Sequence, residues 1–315
     1  MTGGSRWVLF DIWRGAYKFQ GVKIETRDGK VPLPLFAAHS VDISLRWVDL
    51  LRGRILASVV LIEPQLNFVA GPPGKENQWG LGQDWADIVK SLVPLKIGHV
   101  EVRQGEAHFG DPYQTPPVEL YLGQIEGTLA NLHDQRVDSH ALPSALSLTA
   151  KLMDQASLRL LLKLDAFAEK PTFDYSVILL NAKFESLNPM LNRYGGFDVG
   201  GGEISIYSEG KSEAGHFKGY VKPLIKGLKV MKANEKLSPM LIKKSLVGIF
   251  AWIFKDHFRD LDAARVPLEG DLGGPQMQWL PAFFSLLKNA FISPLSANLE
   301  QVKDLHEFKG LGNPV

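Results

Sequence analysis

Residues 41–69, VDISLRWVDLLRGRILASVVLIEPQLNFV, decide how the rest of the chain reads. Val41, Ile43, Leu45 and Trp47 are apolar while Asp42, Ser44 and Arg46 are polar, the alternation of a half-buried strand. Val48–Leu51 predicts a turn of helix closed by Gly53, which takes a left-handed backbone at no steric cost. Arg54–Glu63 predicts a second strand, with Ile55, Ala57, Val59 and Leu61 on one side and Leu56, Val60 and Ile62 on the other. Pro64 is expected to stop it, and Gln65–Ala70 to resume extended before Gly71-Pro72-Pro73-Gly74 ends the unit. This strand–corner–strand unit contains no nucleophile–base pair, no cluster of metal ligands and no phosphate loop.

Strand signals recur on both sides of it. Tyr17–Thr26 alternates through Tyr17 and Phe19, then Val22 and Ile24, a phase change that places a bulge at Gly21. Residues 1–12 carry little signal, Asp28-Gly29 marks a turn, and Val31–Phe36, with two prolines, reads as an edge. A short helix is expected over 84–92, with Trp85, Ile88, Val89 and Leu92 on one side. Leu95–Gln104 and Glu106–Phe109 read as a hairpin around Gln104-Gly105, followed by a strand over Val118–Leu129. Ala145–Leu152, Ser157–Phe167 and Thr172–Ala182 are three more strands. The second sets Leu158, Leu160, Leu162 and Leu164 on one side, and the third does the same with Phe173, Tyr175, Val177 and Leu179.

Residues 182–208 repeat the opening order: strand end, short helix (Ser186–Tyr194), Gly200-Gly201-Gly202, then a strand bearing Ile204 and Ile206. His216–Val221 is expected to end at Lys222-Pro223-Leu224, and Ala264–Glu269 to give a last strand. Two strongly apolar stretches predict helices. Met240–Phe254 carries Phe250, Trp252 and Phe254, and Gln278–Phe291 carries Trp279, Phe283 and Phe284. They read either as caps on the end of the sheet or as membrane-surface helices, with Lys243, Lys244, Lys255 and Arg259 near headgroups.

Composition narrows the function classes. The 315 residues are 45% hydrophobic, enough for a large core in one or two domains. Thirty-five Lys and Arg against 34 Asp and Glu leave a net charge of +1, without the cationic excess of a nucleic-acid footprint. The absence of cysteine removes disulfides, thiolate metal sites and a cysteine nucleophile. Met1–Phe10 lacks the basic start and apolar core of a signal peptide, and no uncharged apolar run reaches the ~18 residues of a membrane span.

Catalytic and metal constellations are sparse. His99, His108 and Asp111 form the closest ligand grouping, brought near one another only if the expected hairpin pairs them. Glu101 with Asp111, or Glu203 with Glu209, are the carboxylate pairs available for glycoside chemistry, yet each sits where a polar strand face or turn would hold it anyway. Gly200–Gly202 is followed by neither lysine nor helix start, so glycines at a sheet corner describe it better than a phosphate loop. The reading is noncatalytic, with no cofactor and no metal. The strand stripes are the strongest functional hint: about ten strands offer apolar sides and few helices precede Pro239 to cover them. One arrangement buries them between packed layers, and the other leaves a single sheet with an open apolar trough.

The runs "VDISLRW", "LLRGRI" and "VVLIEPQLNFV", with "PLKIGHVEVRQGEAHFGDP", "GGGEISIYSEG" and "GHFKGYVKPL", together resemble the AsmA-like envelope proteins. That group includes the TamB and YhdP type and members of unknown function. The likeness covers about residues 38–230 and consists of strands and glycines, so no catalytic residue comes with it. It implies a mainly β fold: an extended, curved antiparallel sheet of repeated strand-and-corner units, with the two apolar helices after it. The expected division is 1–37 with edge strands, 38–230 as the AsmA-like sheet, and 231–315 with the apolar helices. The implied function is lipid binding and transfer between the two bacterial membranes. Phospholipid or another acyl-chain lipid is the expected ligand, with the membrane surface and other envelope proteins as partners and nucleic acid excluded. The expected location is the periplasm, associated with the inner membrane in a longer form of the chain. The alternative is a β-rich scaffold or assembly factor for outer-membrane proteins without a lipid conduit.

Overall fold

The structure, a computed structural model, describes residues 2–4, 7–11, 15–25, 33–45, 56–69, 96–113, 117–132, 142–165, 168, 170–191, 199–230 and 265–272. Thirteen strands form one sheet. They are β1 (Thr2–Gly4), β2 (Trp7–Asp11), β3 (Ala16–Glu25), β4 (Phe36–Leu45), β5 (Leu56–Val69), β6 (Lys96–Asp111) and β7 (Val118–Leu132). The rest are β8 (Ser144–Leu152), β9 (Ala156–Leu164), β10 (Phe173–Lys183), β11 (Val199–Glu213), β12 (His216–Val230) and β13 (Val266–Asp271). β1 and β2 both pair with β3, and from there each strand pairs with the next in chain order. The sheet does not close into a barrel.

The mainly β class is as expected, but the sheet is mixed rather than wholly antiparallel, because β5 and β6 run parallel. A parallel pair needs a crossover of a dozen or more residues. The stretch 70–95 that joins these two strands is long enough for one. The helices expected at 48–51, 84–92, 240–254 and 278–291 lie outside the described residues. So do Phe250, Trp252, Phe254, Trp279, Phe283 and Phe284. No helix among the described residues is long and apolar enough to cross a membrane.

Several expected strand ends lie inside longer strands. β5 runs unbroken through Pro64, β6 replaces the hairpin expected around Gln104-Gly105, and β12 continues past Pro223. Glu63, Gln104 and Gln124 have positive φ at 49°, 52° and 51°, and the register slips beside Gln104 and Gln124. Gly21 in β3, where a bulge is expected from sequence, has φ 62°. Pro64, just after the kink at Glu63, sits where no ladder bond to β6 is required. Pro223 lies beyond Val221, the last β12 residue that β13 reaches, so its missing N–H costs no bond to that neighbour. The stretch expected as an edge instead leads into an interior strand. Leu35 is 1% exposed, and Asn67 of β5 donates its Nδ2–H to the Pro34 carbonyl at 2.9 Å.

The one helix among the described residues, α1 (Phe184–Met190), follows β10 where a helix over Ser186–Tyr194 is expected. It starts two residues earlier because Phe184 is pulled into the core, 2% exposed, and Pro189 keeps it short. Asn188 ties it to β11, accepting from the Val199 N–H at 2.9 Å and donating to the Val199 carbonyl at 2.7 Å. At the opposite end of the strands, the rings of Tyr175 and Phe217 stack with centroids 6.1 Å apart and planes 8° from parallel. Both rings lie against Gly210, where a Cβ would come within 2.7 Å of each. Next to it, a Cβ on Gly219 would stand 2.6 Å from the Glu209 carbonyl oxygen and 2.9 Å from the Gly210 Cα. Gly219→Ala should therefore force backbone apart and lower unfolding stability by about 1–3 kcal/mol. Gly110→Ala, with only a carbonyl oxygen 3.8 Å away, should be nearly neutral. Urea unfolding of the two variants checks this, and equal effects would contradict the packing argument.

Candidate functional site

Because side chains alternate along a strand, residues paired across neighbouring strands share a face. Following the pairings gives a row that crosses eleven strands: Tyr17, Ile43, Val59, Val100, Leu129, Leu146, Leu162, Tyr175, Gly210, Gly219 and Leu268. A second row is Phe19, Val41, Leu61, Val102, Gly127, Leu148, Leu160, Val177, Ser208 and Val221. Neither row contains a charged residue. The row between them on the other face runs Lys18, Asp42, Val60, Glu101, Thr128, Ser147, Leu161, Ser176, Glu209, Tyr220 and Pro267. From β3 to β12 one face of the sheet carries two uncharged rows, and the other face is mostly polar.

The expected stripes meet on the apolar face. Leu164, Leu162, Leu160 and Leu158 of β9 stand opposite Phe173, Tyr175, Val177 and Leu179 of β10. Leu179 in turn stands opposite Ile206 of β11, and Ala182 opposite Ile204 after a register slip. All ten residues named from sequence for β9–β11 except Phe173 and Ile204 are only half-buried. Sequence reasoning did not single out Leu129, Leu146, Leu148, Val221 or Leu268, although Leu146 and Leu148 lie in a strand already read as alternating. Their place on this face follows from register, which one strand taken alone does not reveal.

The two ends of this face are closed differently. At one end, Ala156, Ala182, Phe184, Leu191, Val199 and Ile204 form a buried cluster, and α1 touches β7, β10 and β11. At the other, Phe173, Phe217, Val221, Leu268 and Leu272 are buried together, with Tyr175 against them. The Tyr175 hydroxyl lies 2.9 Å from Ser208 Oγ, which itself donates to the Tyr220 carbonyl at 2.9 Å. Between the clusters stand the half-buried Leu146, Leu148, Leu160 and Val177.

The sequence constellations for catalysis do not converge. His99 and His108 lie along one strand instead of facing each other across a hairpin. Glu101 points to the polar face, while Asp111 pairs with Val118 on the apolar one. Glu203 and Glu209 lie along β11 on the polar face, where Glu209 accepts a hydrogen bond from the Tyr220 hydroxyl at 2.8 Å. His108 instead stands between Glu106, 3.0 Å from its Nε2, and Glu119, 3.7 Å from its Nδ1, stacked on the Tyr121 ring. No group of three or more His, Asp or Glu suited to a metal ion occurs among the described residues. Two of the acidic side chains on the polar face are held in the ionised form by cationic neighbours. Glu101 titrates below the usual carboxylate range through its hydrogen bond to Arg103, and Glu269 does so through Lys218.

The described residues define a class: one open, mixed β-sheet with one apolar and one polar surface. No family model matches the chain, and no curated protein is significantly similar to it.

Burial raises the Tyr175 pKa, and the Ser208 hydrogen bond offsets only part of that rise. A raised folded-state value means that the neutral phenol is favoured by folding. Its contribution is complete below the unfolded tyrosine value of about 10 and is lost as pH rises through the folded one. Alkaline titration followed by phenolate absorbance should show Tyr175→Phe losing a late-ionising tyrosine, with a shallower loss of stability above pH of about 10. Loss of an early-ionising group instead would place the Tyr175 ring in water.

Proposed function

We propose that the apolar face is a lipid-binding surface and that this chain is a noncatalytic lipid-transfer protein of the bacterial envelope, of the AsmA-like type. The observation that carries the reading is the pair of uncharged rows that cross the sheet unbroken. An ordinary core would bury such a face under a second layer, whereas most of its mid-strand leucines and valines are half-buried. The contact of α1 with β7 as well as β10 and β11 supports a sheet bent around this face, which makes it a trough. An acyl chain laid along the trough leaves water at roughly 0.8 kcal/mol per methylene, while its headgroup stays at the rim. Movement of the lipid then exchanges one apolar surface for another and needs no chemical step. A phospholipid is the ligand class that fits, with the periplasm and its two bounding membranes as the setting.

Leu160 and Val177 face each other across β9 and β10 in the middle of the trough. Leu160→Asp and Val177→Asp each place a charge there. On the trough reading, either variant loses the lipid that co-purifies with the natural protein, read by mass spectrometry, and melts within a few degrees of the natural protein stripped of lipid. If the face is instead closed, as in a scaffold or assembly factor for outer-membrane proteins, the carboxylate is buried unpaired. The variant should then lose several kcal/mol and melt far lower. Natural protein that carries no lipid at all would also refute the proposal.

A further inference from the structure

The polar face has one region that is not simply solvated. On β9–β12, Leu161, Ile178, Leu180, Tyr207 and Leu224 lie together on it, with Ile178 paired to Tyr207 and Leu161 to Ser176. Leu161 is 48% exposed, among the most exposed large hydrophobic residues described. Cations border this group. Arg159 is paired with Ile178, Lys222 with Tyr207, and Lys183 and Lys226 flank Glu203. Arg265 lies 4.7 Å from the centroid of the Tyr220 ring. Among the described residues, Arg159, Lys183, Lys222 and Lys226 make no ion pair, and Glu209 is already occupied by the Tyr220 hydroxyl.

We propose that this region is a docking surface for an anionic lipid bilayer, on the opposite side of the sheet from the trough and independent of it. Aliphatic side chains ringed by free lysine and arginine are what a bilayer interface accepts: the apolar groups enter the acyl boundary and the cations meet phosphate. A single-stranded nucleic acid would instead need a track of stacking rings along a cationic groove. Here two rings, Tyr207 and Tyr220, stand beside four aliphatic side chains without forming a track, and Glu203 and Glu209 interrupt the cations.

The full chain should sediment with phosphatidylcholine vesicles containing about one third phosphatidylglycerol at least tenfold better than with phosphatidylcholine alone, and release as salt rises. Arg159→Glu/Lys222→Glu should lose about tenfold or more of the binding to the anionic vesicles. The milder Arg159→Gln/Lys222→Gln should fall between it and the natural protein. Lys18→Glu/Lys23→Glu, the same change of charge on the same face at the β3 end, should bind like the natural protein. Circular dichroism and melting temperature identify any variant that fails to fold, in which case the glutamine pair decides. Equal binding to both vesicle types, equal losses in the β3 and β9–β12 variants, or tighter binding to a single-stranded oligonucleotide than to the anionic vesicles would overturn the assignment. A trough variant that loses lipid says nothing for or against it, because the two faces are read by different measurements.

Discussion

Everything in this sheet depends on keeping one face in phase. Side chains alternate with a period of two, so one extra residue in a strand turns everything beyond it to the opposite face. β6 would place Val100 and Val102 on one side and Ala107 and Phe109 on the other if it were regular. The kink at Gln104 absorbs the extra residue, the register slips again beside Gln124 of β7, and Gly21 of β3 and Glu63 of β5 take the same left-handed backbone. They fall at corresponding heights on neighbouring strands. Val102 pairs with Gly127 on one side of the Gln104 bulge and Gly105 with Ile125 on the other. A left-handed backbone at a residue with a side chain costs on the order of 1–3 kcal/mol. That cost recurs across adjacent strands, and what it maintains is one apolar face on both sides of the kinks, with Ala107 and Phe109 on the side of Val100 and Val102. The amides displaced from the ladder are recovered locally. Glu126 Oε1 accepts the Gln104 N–H and Ser205 Oγ the Asn181 N–H, both at 3.0 Å.

The same phase changes explain what was legible in the sequence. Strands with long alternating runs, β8 to β10, are readable to within about three residues at their ends, and their leucine and aromatic stripes share a face as expected. A change of phase looks like the end of a strand when only the sequence is in view. Gln104-Gly105 therefore read as a turn, and Pro64 and Pro223 as stops, because proline is rare inside a ladder. Nothing local distinguishes a proline that ends a strand from one placed where its neighbour demands no N–H. The parallel pairing of β5 with β6 was equally hidden, since alternation is the same in either direction. The site was legible as a set of stripes but not as a continuous surface, which exists only through the register of many strands.

Among the described residues no second sheet faces this one, so its stability has to come from other contacts. The ion pairs on the polar face are exposed, and pairs of that kind contribute little. The packing that remains is at the two ends of the apolar face. Phe184, Leu191 and Val199 bury one end under α1, and Phe173 and Phe217 bury the other around glycines that let rings lie flat on the backbone. Both clusters draw on strands β9 to β12, so the best-packed part of the described structure is also where the expected stripes lie.

That arrangement ties stability to occupancy. The side chains between the clusters, Leu146, Leu148, Leu160 and Val177, can gain further burial only from something placed against them. If acyl chains occupy the face as proposed, they bind the folded sheet and not the unfolded chain. Occupancy then raises stability in proportion to the logarithm of lipid concentration over its dissociation constant. A face packed tightly enough to need no ligand would have no room for one. Under that proposal the half-buried state of its middle is the condition for binding, and the end clusters are what allow the fold to tolerate it.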